Sequence, residues 1–266
     1  MIEGNTLVIG LGEVGGALAE VLERSQRVLR HDIEPVEIEE AIGVAHLCFP
    51  FQSREQFEQI AIGYLERFRP KLAIINSTVL PGTTRRIAAA TKVSMVYSPV
   101  RGKHAHMADD LQRYRKFVSA VDVDTARMAE QHFERAGIQT RRMNKIETLE
   151  LAKLAETTYF GMLIAYAQEL NRYCDRVDGD YYEATNFFDE IDFLPRVRYF
   201  PGFIGGHCVV PNINLMLQIG GSAMLESVLD SNRKRAAETD QRPPVARQAA
   251  PSRSDLSGNG KVLADR

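Results

Sequence analysis

Thr6-Leu7-Val8-Ile9-Gly10-Leu11-Gly12-Glu13-Val14-Gly15 decides the architecture of this chain. Its first four residues form a short apolar run that reads as a buried strand. The pattern G-x-G-x-x-G follows at Gly10, Gly12 and Gly15, and helical spacing takes over at residues 14–22. In a strand–turn–helix of this kind the first glycine makes the tight turn. The second lets the backbone approach a pyrophosphate, and the third lets helix and strand pack closely. The free N–H groups of the helix start then face the phosphates. Gly10, Gly12, Glu13, Val14 and Gly15 are therefore the expected dinucleotide-binding residues. Asp32 ends the next candidate strand, residues 27–33, at about the spacing of the acid that accepts from ribose hydroxyls. Its charge would repel a 2′-phosphate, which favours NAD over NADP, although Arg30 and His31 stand beside it.

Further short apolar runs lie at residues 44–49, 72–75 and 93–97, with helical stretches between them, notably residues 53–68. A last unit reads as strand 117–121, helix 125–136 and strand 140–143. Strands alternating with helices predict an α/β fold of Rossmann type, a doubly wound parallel sheet. The NAD-binding domain is expected to span residues 1–144. From residue 146 to 175 no proline interrupts, which predicts a long central helix, apolar on nearly every face between Tyr159 and Ala167. A smaller helical domain, residues 145–237, is expected to grow on that helix and to carry the substrate site and a homodimer contact. Residues 238–266 lose their aromatics and are expected to form a disordered tail.

Composition excludes several classes. The chain has 266 residues, 44% of them hydrophobic, and a formal net charge of −2. Its Lys and Arg residues are scattered, so no nucleic-acid footprint is present. There is no apolar run of membrane-spanning length and no leader pattern at the start, so the expectation is a cytoplasmic protein without membrane contact. Cys48, Cys174 and Cys208 are odd in number and far apart, which reads as thiols rather than a disulfide framework.

Four more segments carry chemistry. They are Asn76-Ser77-Thr78-Val79-Leu80-Pro81-Gly82-Thr83-Thr84, Tyr97-Ser98-Pro99-Val100-Arg101-Gly102, Glu150-Leu151-Ala152-Lys153-Leu154-Ala155, and Phe200-Pro201-Gly202-Phe203-Ile204-Gly205-Gly206-His207-Cys208. In order and spacing they resemble the UDP-glucose/GDP-mannose dehydrogenase family over residues 1 to about 230. The resemblance implies NAD-dependent oxidation of an alcohol or aldehyde on a sugar-like or other small polar substrate. It makes Cys208 the nucleophile that traps an aldehyde as a thiohemiacetal, since a thiolate adds reversibly to carbonyls. It makes Lys153 the cation beside the developing oxyanion. Thr78 would lie near both the nicotinamide and the substrate. Arg101, Thr157, Gly205, Gly206, His207 and Asn212 would contact the substrate.

Three positions depart from the family pattern. The Glu that assists thioester hydrolysis is Val100, the Asn one helical turn after the lysine is Thr157, and the Asp four residues after the cysteine is Asn212. Valine moves no proton, so the second oxidation is open. The family's third, nucleotide-binding domain is expected to be missing, and a separate chain could supply that surface. Lys103-His104-Ala105-His106 stands in the loop beside the cysteine, and His104 or His106 is the candidate replacement base. A zinc ion shared by His104, His106, His207 and Cys208 is the bolder version, although the family needs no metal and none is assigned. The alternative to an enzyme is a non-catalytic NAD-binding protein that has kept the fold and lost the four-electron reaction.

Overall fold

A computed structural model of the chain describes residues 2–33, 37–102, 106–188, 191 and 199–241. His104 and residues 242–266, most of the expected tail, lie outside the described residues. The elements run β1 (Asn5–Ile9), α1 (Glu13–Glu23), β2 (Val28–His31), β3 (Ile42–Leu47), α2 (Arg54–Phe68), β4 (Leu72–Ile75), α3 (Thr83–Thr91) and β5 (Ser94–Tyr97). They continue with α4 (Met107–Arg113), β6 (Lys116–Ala120), α5 (Val123–Arg135), β7 (Thr140–Arg142), α6 (Ile146–Arg176), α7 (Tyr181–Asn186), α8 (Val209–Ile219) and α9 (Ala223–Gln241).

The strands form one sheet in the order β2-β1-β3-β4-β5-β6-β7. Strand residues alternate between two cores, as a period of two requires. Val8, Val44, Ile74 and Val96 pack with α1, α4 and α5 on one face. Leu7, Ile9, Ala45, Leu47, Ile75 and Tyr97 pack with α2 and α3 on the other. The result is the expected three-layer α/β arrangement. One pair breaks the all-parallel expectation: β5 and β6 are antiparallel. The reason is the connection between them. Among the described residues it carries the short helix α4, and β6 enters the sheet beside β5 from the edge where β5 ends, so the pair runs antiparallel.

Two compact units emerge: Met1–Leu163 with Gly205–Leu225, and Ile164–Ile204 with Glu226–Arg266. The sequence suggested a boundary at residue 144, but the first unit keeps the start of α6. Ile146 and Leu149 are buried in the core on the α2 and α3 face of the sheet. Leu154 packs with Leu80 and with Leu215 of α8. In the second unit, Gln168 donates to the Gly202 carbonyl (2.6 Å), and Asn232 grips Ile204 through both its N–H and its C=O (2.7 and 3.0 Å). The helix α9 runs on through Gln241. Glu238, expected to open the tail, instead accepts from Arg172 at 2.5 Å.

The central helix also differs from expectation between Tyr159 and Ala167. Gly161, Ala165 and Ala167 are buried, but Tyr159, Phe160 and Tyr166 are exposed. The stretch is a two-sided helix with an uncovered aromatic face rather than a fully buried spine.

Candidate active site

The parallel strands end at one edge of the sheet, and there each chemistry-bearing loop of the first unit begins. Four backbone hydrogen bonds pin those loops: Gly10 N–H to His31 O, Cys48 N–H to Ile9 O, Asn76 N–H to Leu47 O and Ser98 N–H to Ile75 O, each 2.8–2.9 Å. The chain order reverses around β1, since β2 lies on one side of it and β3 on the other. A crevice at such a switch point is where α/β sheets bind ligands.

The glycine turn fits its expected task. Gly10 has φ +89°, and a Cβ there would meet the Phe49 nitrogen at 2.8 Å. A Cβ on Gly15 would sit 1.8 Å from the Gly10 carbonyl oxygen, so helix and strand touch only because it is absent. Gly12, by contrast, faces open space. It begins α1 with no side chain capping the helix. Helix N-termini of this kind attract anionic groups. Asp32 Oδ2 accepts from Leu11 N–H at 3.1 Å, which ties the acid to the turn. Arg30 is engaged elsewhere, in two 2.8 Å bonds to Glu23, and His31 is buried against Tyr64 and Phe68. Neither side chain offsets Asp32.

Thr78 lies half-buried in the loop between β4 and α3. The loop is fastened at three points: Ser77 Oγ donates to Phe49 O (2.6 Å), Arg54 donates to Pro81 O (3.2 Å), and Glu150 receives the rest. Glu150 is fully buried and accepts from Gly82 N–H (2.6 Å), Thr84 N–H (2.9 Å) and Thr84 Oγ1 (2.7 Å). It thereby caps α3 from the side of α6. Burial nevertheless pushes its carboxyl above the usual range. Helical spacing alone would also allow Glu150 to pair with Lys153. The structure gives Lys153 to Glu156 instead, at 3.4 Å.

Cys208 begins α8 and is half-buried, and none of the three cysteines is disulfide-bonded. Burial raises its thiol above the ordinary range, Lys153 pulls it down, and Glu13 of the glycine turn pushes it up again. His207 is exposed and is not among the causes. The electrostatics bring Glu13, Lys153 and Cys208, all in the first unit, within reach of one another. Gly205 and Gly206 are exposed just ahead of Cys208, and Asn212 is buried one turn after it. The Thr157 hydroxyl donates to the Lys153 carbonyl of its own helix (3.3 Å), so its proton is not offered to a substrate. Val100 is buried in the sheet core. His106 is exposed at the start of α4. Among the described residues no three His, Cys, Asp or Glu side chains converge as a metal would need.

Two features escaped the sequence. Lys116, the first residue of β6, is buried and donates to Ser98 O (2.7 Å) and Pro99 O (3.3 Å). Burial is the main cause that lowers its ammonium to about 7. Its signal was a lysine directly ahead of an apolar run taken to begin at Phe117. His46 and His132, which carried no signal, meet in the core with Nε2 atoms 2.9 Å apart. They lie far apart in the chain, and no local pattern joins them.

Comparison with known proteins agrees with this geometry. The central domain of the UDP-glucose/GDP-mannose dehydrogenase family matches residues 147–234. A UDP-N-acetyl-D-mannosamine dehydrogenase of Methanocaldococcus jannaschii is 27% identical over 150 residues, 55% of this chain and 34% of its own length. The Pyrococcus horikoshii enzyme of that name is 25% identical over 267 residues, 79% of this chain and 63% of its own. The chain thus spans about a third of the first relative's length. The solved UDP-D-ManNAc dehydrogenase of Pyrococcus horikoshii superimposes with TM-score 0.78 at 21% identity, over 89% of this chain and 70% of that one. A Mycobacterium tuberculosis 3-hydroxyisobutyrate dehydrogenase superimposes with TM-score 0.69 at 14% identity, over 88% and 94%. At such identities these structures show the shared fold. The motif order, the sheet and the central-domain match agree: the chain is similar to the UDP-glucose/GDP-mannose dehydrogenase family, and over residues 147–234 it matches that family's central domain.

Proposed function

We propose that this chain is an NAD-dependent oxidoreductase that oxidises an alcohol or aldehyde of a sugar-like or small polar substrate. The observation that carries the reading is the uncapped start of α1 at the open Gly12, with Asp32 tied to the same turn. These residues fit a dinucleotide: α1 offers N–H groups to the pyrophosphate, and Asp32 offers remaining lone pairs to the ribose hydroxyls. Bound there, NAD supplies the hydride acceptor. Thr78 stands at the end of β4 to orient the substrate, and Lys153 supplies positive charge where an alkoxide or oxyanion develops. Cys208 is the nucleophile toward an aldehyde. It rests as a thiol, because burial outweighs Lys153, so a proton must leave before it attacks. Position 100 contributes no proton carrier, and the expected substitute His104 lies outside the described residues. The favoured chemistry is therefore a two-electron oxidation, with any acyl adduct on Cys208 hydrolysing slowly.

Alkylation with iodoacetamide, mapped by mass, tests the reading. Cys208 should react fastest, because Cys174 is buried and burial pushes Cys48 up to about 12. NAD should protect Cys208, and Lys153→Met should slow its alkylation at fixed pH. If Cys208 is no faster than the other two and NAD changes nothing, the covalent role of the cysteine is lost, and either a simple hydride-transfer enzyme or a binding protein remains.

A further inference from the structure

Arg101 and Lys153 share one pocket with Glu156, and a third basic group, Lys116, is close enough to both to feel their charge. Arg101, Lys153 and Glu156 line a pocket of about 170 Å³ whose other walls include Phe117, Met143 and Leu149. Arg101 is held in place rather than free to swing. Its guanidinium lies 4.7 Å from the Phe117 ring centre and donates to Arg115 O at 2.7 Å. Lys153 is only loosely engaged, at 3.4 Å from a Glu156 side chain that is half exposed. Behind the Pro99 wall sits Lys116, whose bonds among the described residues go to the Ser98 and Pro99 carbonyls. Its ammonium stands over the Phe133 ring, 5.2 Å from the centre, and both Lys153 and Arg101 repel it. Like charges packed this closely at a partly dry site cost free energy that an anion would recover. A fixed, planar guanidinium facing a small, mostly apolar pocket suits a carboxylate better than a hydrated, tetrahedral phosphate. The size argues the same way, since sites for drug-sized ligands run to roughly 300–1,000 Å³.

We propose that the pocket between Arg101 and Lys153 is an anion subsite for the carboxylate of a small organic acid, bound without any nucleotide group. The proposal rests on the oxidoreductase reading in one respect, that Lys153 faces the substrate. It narrows that reading to substrates that carry a carboxylate within a few carbons of the oxidised position. The site itself is made by the chain's own residues and is testable without turnover.

Calorimetric titration of the full chain with malonate, its neutral dimethyl ester and inorganic phosphate decides it, with NAD titrated separately into the same sample. Malonate should bind saturably with a dissociation constant at or below about 1 mM, the ester should not bind, and phosphate should bind more weakly. Arg101→Gln, at a half-exposed position that tolerates the change, should weaken malonate about tenfold or more while NAD binding persists. Lys116→Met should weaken malonate as well, and Arg101→Gln remains decisive if that buried variant fails to fold. Absence of saturable malonate binding, or unchanged affinity in Arg101→Gln, overturns the subsite. Tighter binding of phosphate than of malonate overturns the carboxylate assignment. Failure of NAD to bind while malonate binds would sink the oxidoreductase reading and leave the subsite standing.

Discussion

The buried histidine pair shows how a residue without a sequence signal can govern behaviour. Asn76 Nδ2 donates to His46 Nδ1 at 3.2 Å, so His46 must carry its proton on Nε2 and donate it to His132 Nε2. A second proton on either ring would set two N–H groups against each other. Burial is the first cause that holds His46 well below the usual histidine range, and it lowers His132 to about 4. Both folded-state values lie below the unfolded value of 6.5, so the stability from this pair is fully present above pH 6.5. It is lost as pH falls from 6.5 toward 4, because the unfolded chain takes up protons first. Stability should therefore fall steadily between pH 6.5 and 5. Urea unfolding at several pH values reads this, and the double variant His46→Leu, His132→Leu should flatten the slope. A slope that survives the double variant would place the acid sensitivity elsewhere. The glycine turn and Asp32, by contrast, were legible because their task is local: a fixed spacing makes one turn. The histidine pair and Lys116 depend on which strand lies beside which, and no spacing records that.

At the scale of the element, the loop between β4 and α3 and the central helix act as one device. Glu150 is the rivet, with three donors on one carboxylate. Glu150→Ala leaves the Gly82 and Thr84 N–H groups buried without an acceptor and should cost about 2–3 kcal/mol. Glu150→Gln keeps one acceptor oxygen and should cost less. Denaturant midpoints measure both; equal losses would mean that packing rather than hydrogen bonding carries the position. The sequence announced the helix through its unbroken length, and it announced the loop through the Pro81-Gly82 turn. It could not announce the join, because helical spacing offered Glu150 a nearer partner in Lys153. The antiparallel β6 was hidden for a similar reason: an apolar run has no direction until its connection is known.

At the scale of the molecule, Tyr159, Phe160 and Tyr166 leave an aromatic face of α6 open to solvent. A second copy of the chain is the proposed cover. Light scattering should give twice the chain mass at micromolar concentration, and Tyr166→Glu should shift it toward the monomer. A monomeric wild type would end that proposal. No helix among the described residues is long and apolar enough to cross a membrane. The claim on which all the chemistry depends is that the turn at Gly12 and the acid at Asp32 select NAD. Calorimetric titration of NAD and NADP into the same protein tests it most directly. NAD should bind about tenfold or more tightly, and Asp32→Asn should narrow the gap by relieving the 2′-phosphate. Equal affinities in the wild type, or no binding of either dinucleotide, would contradict the account.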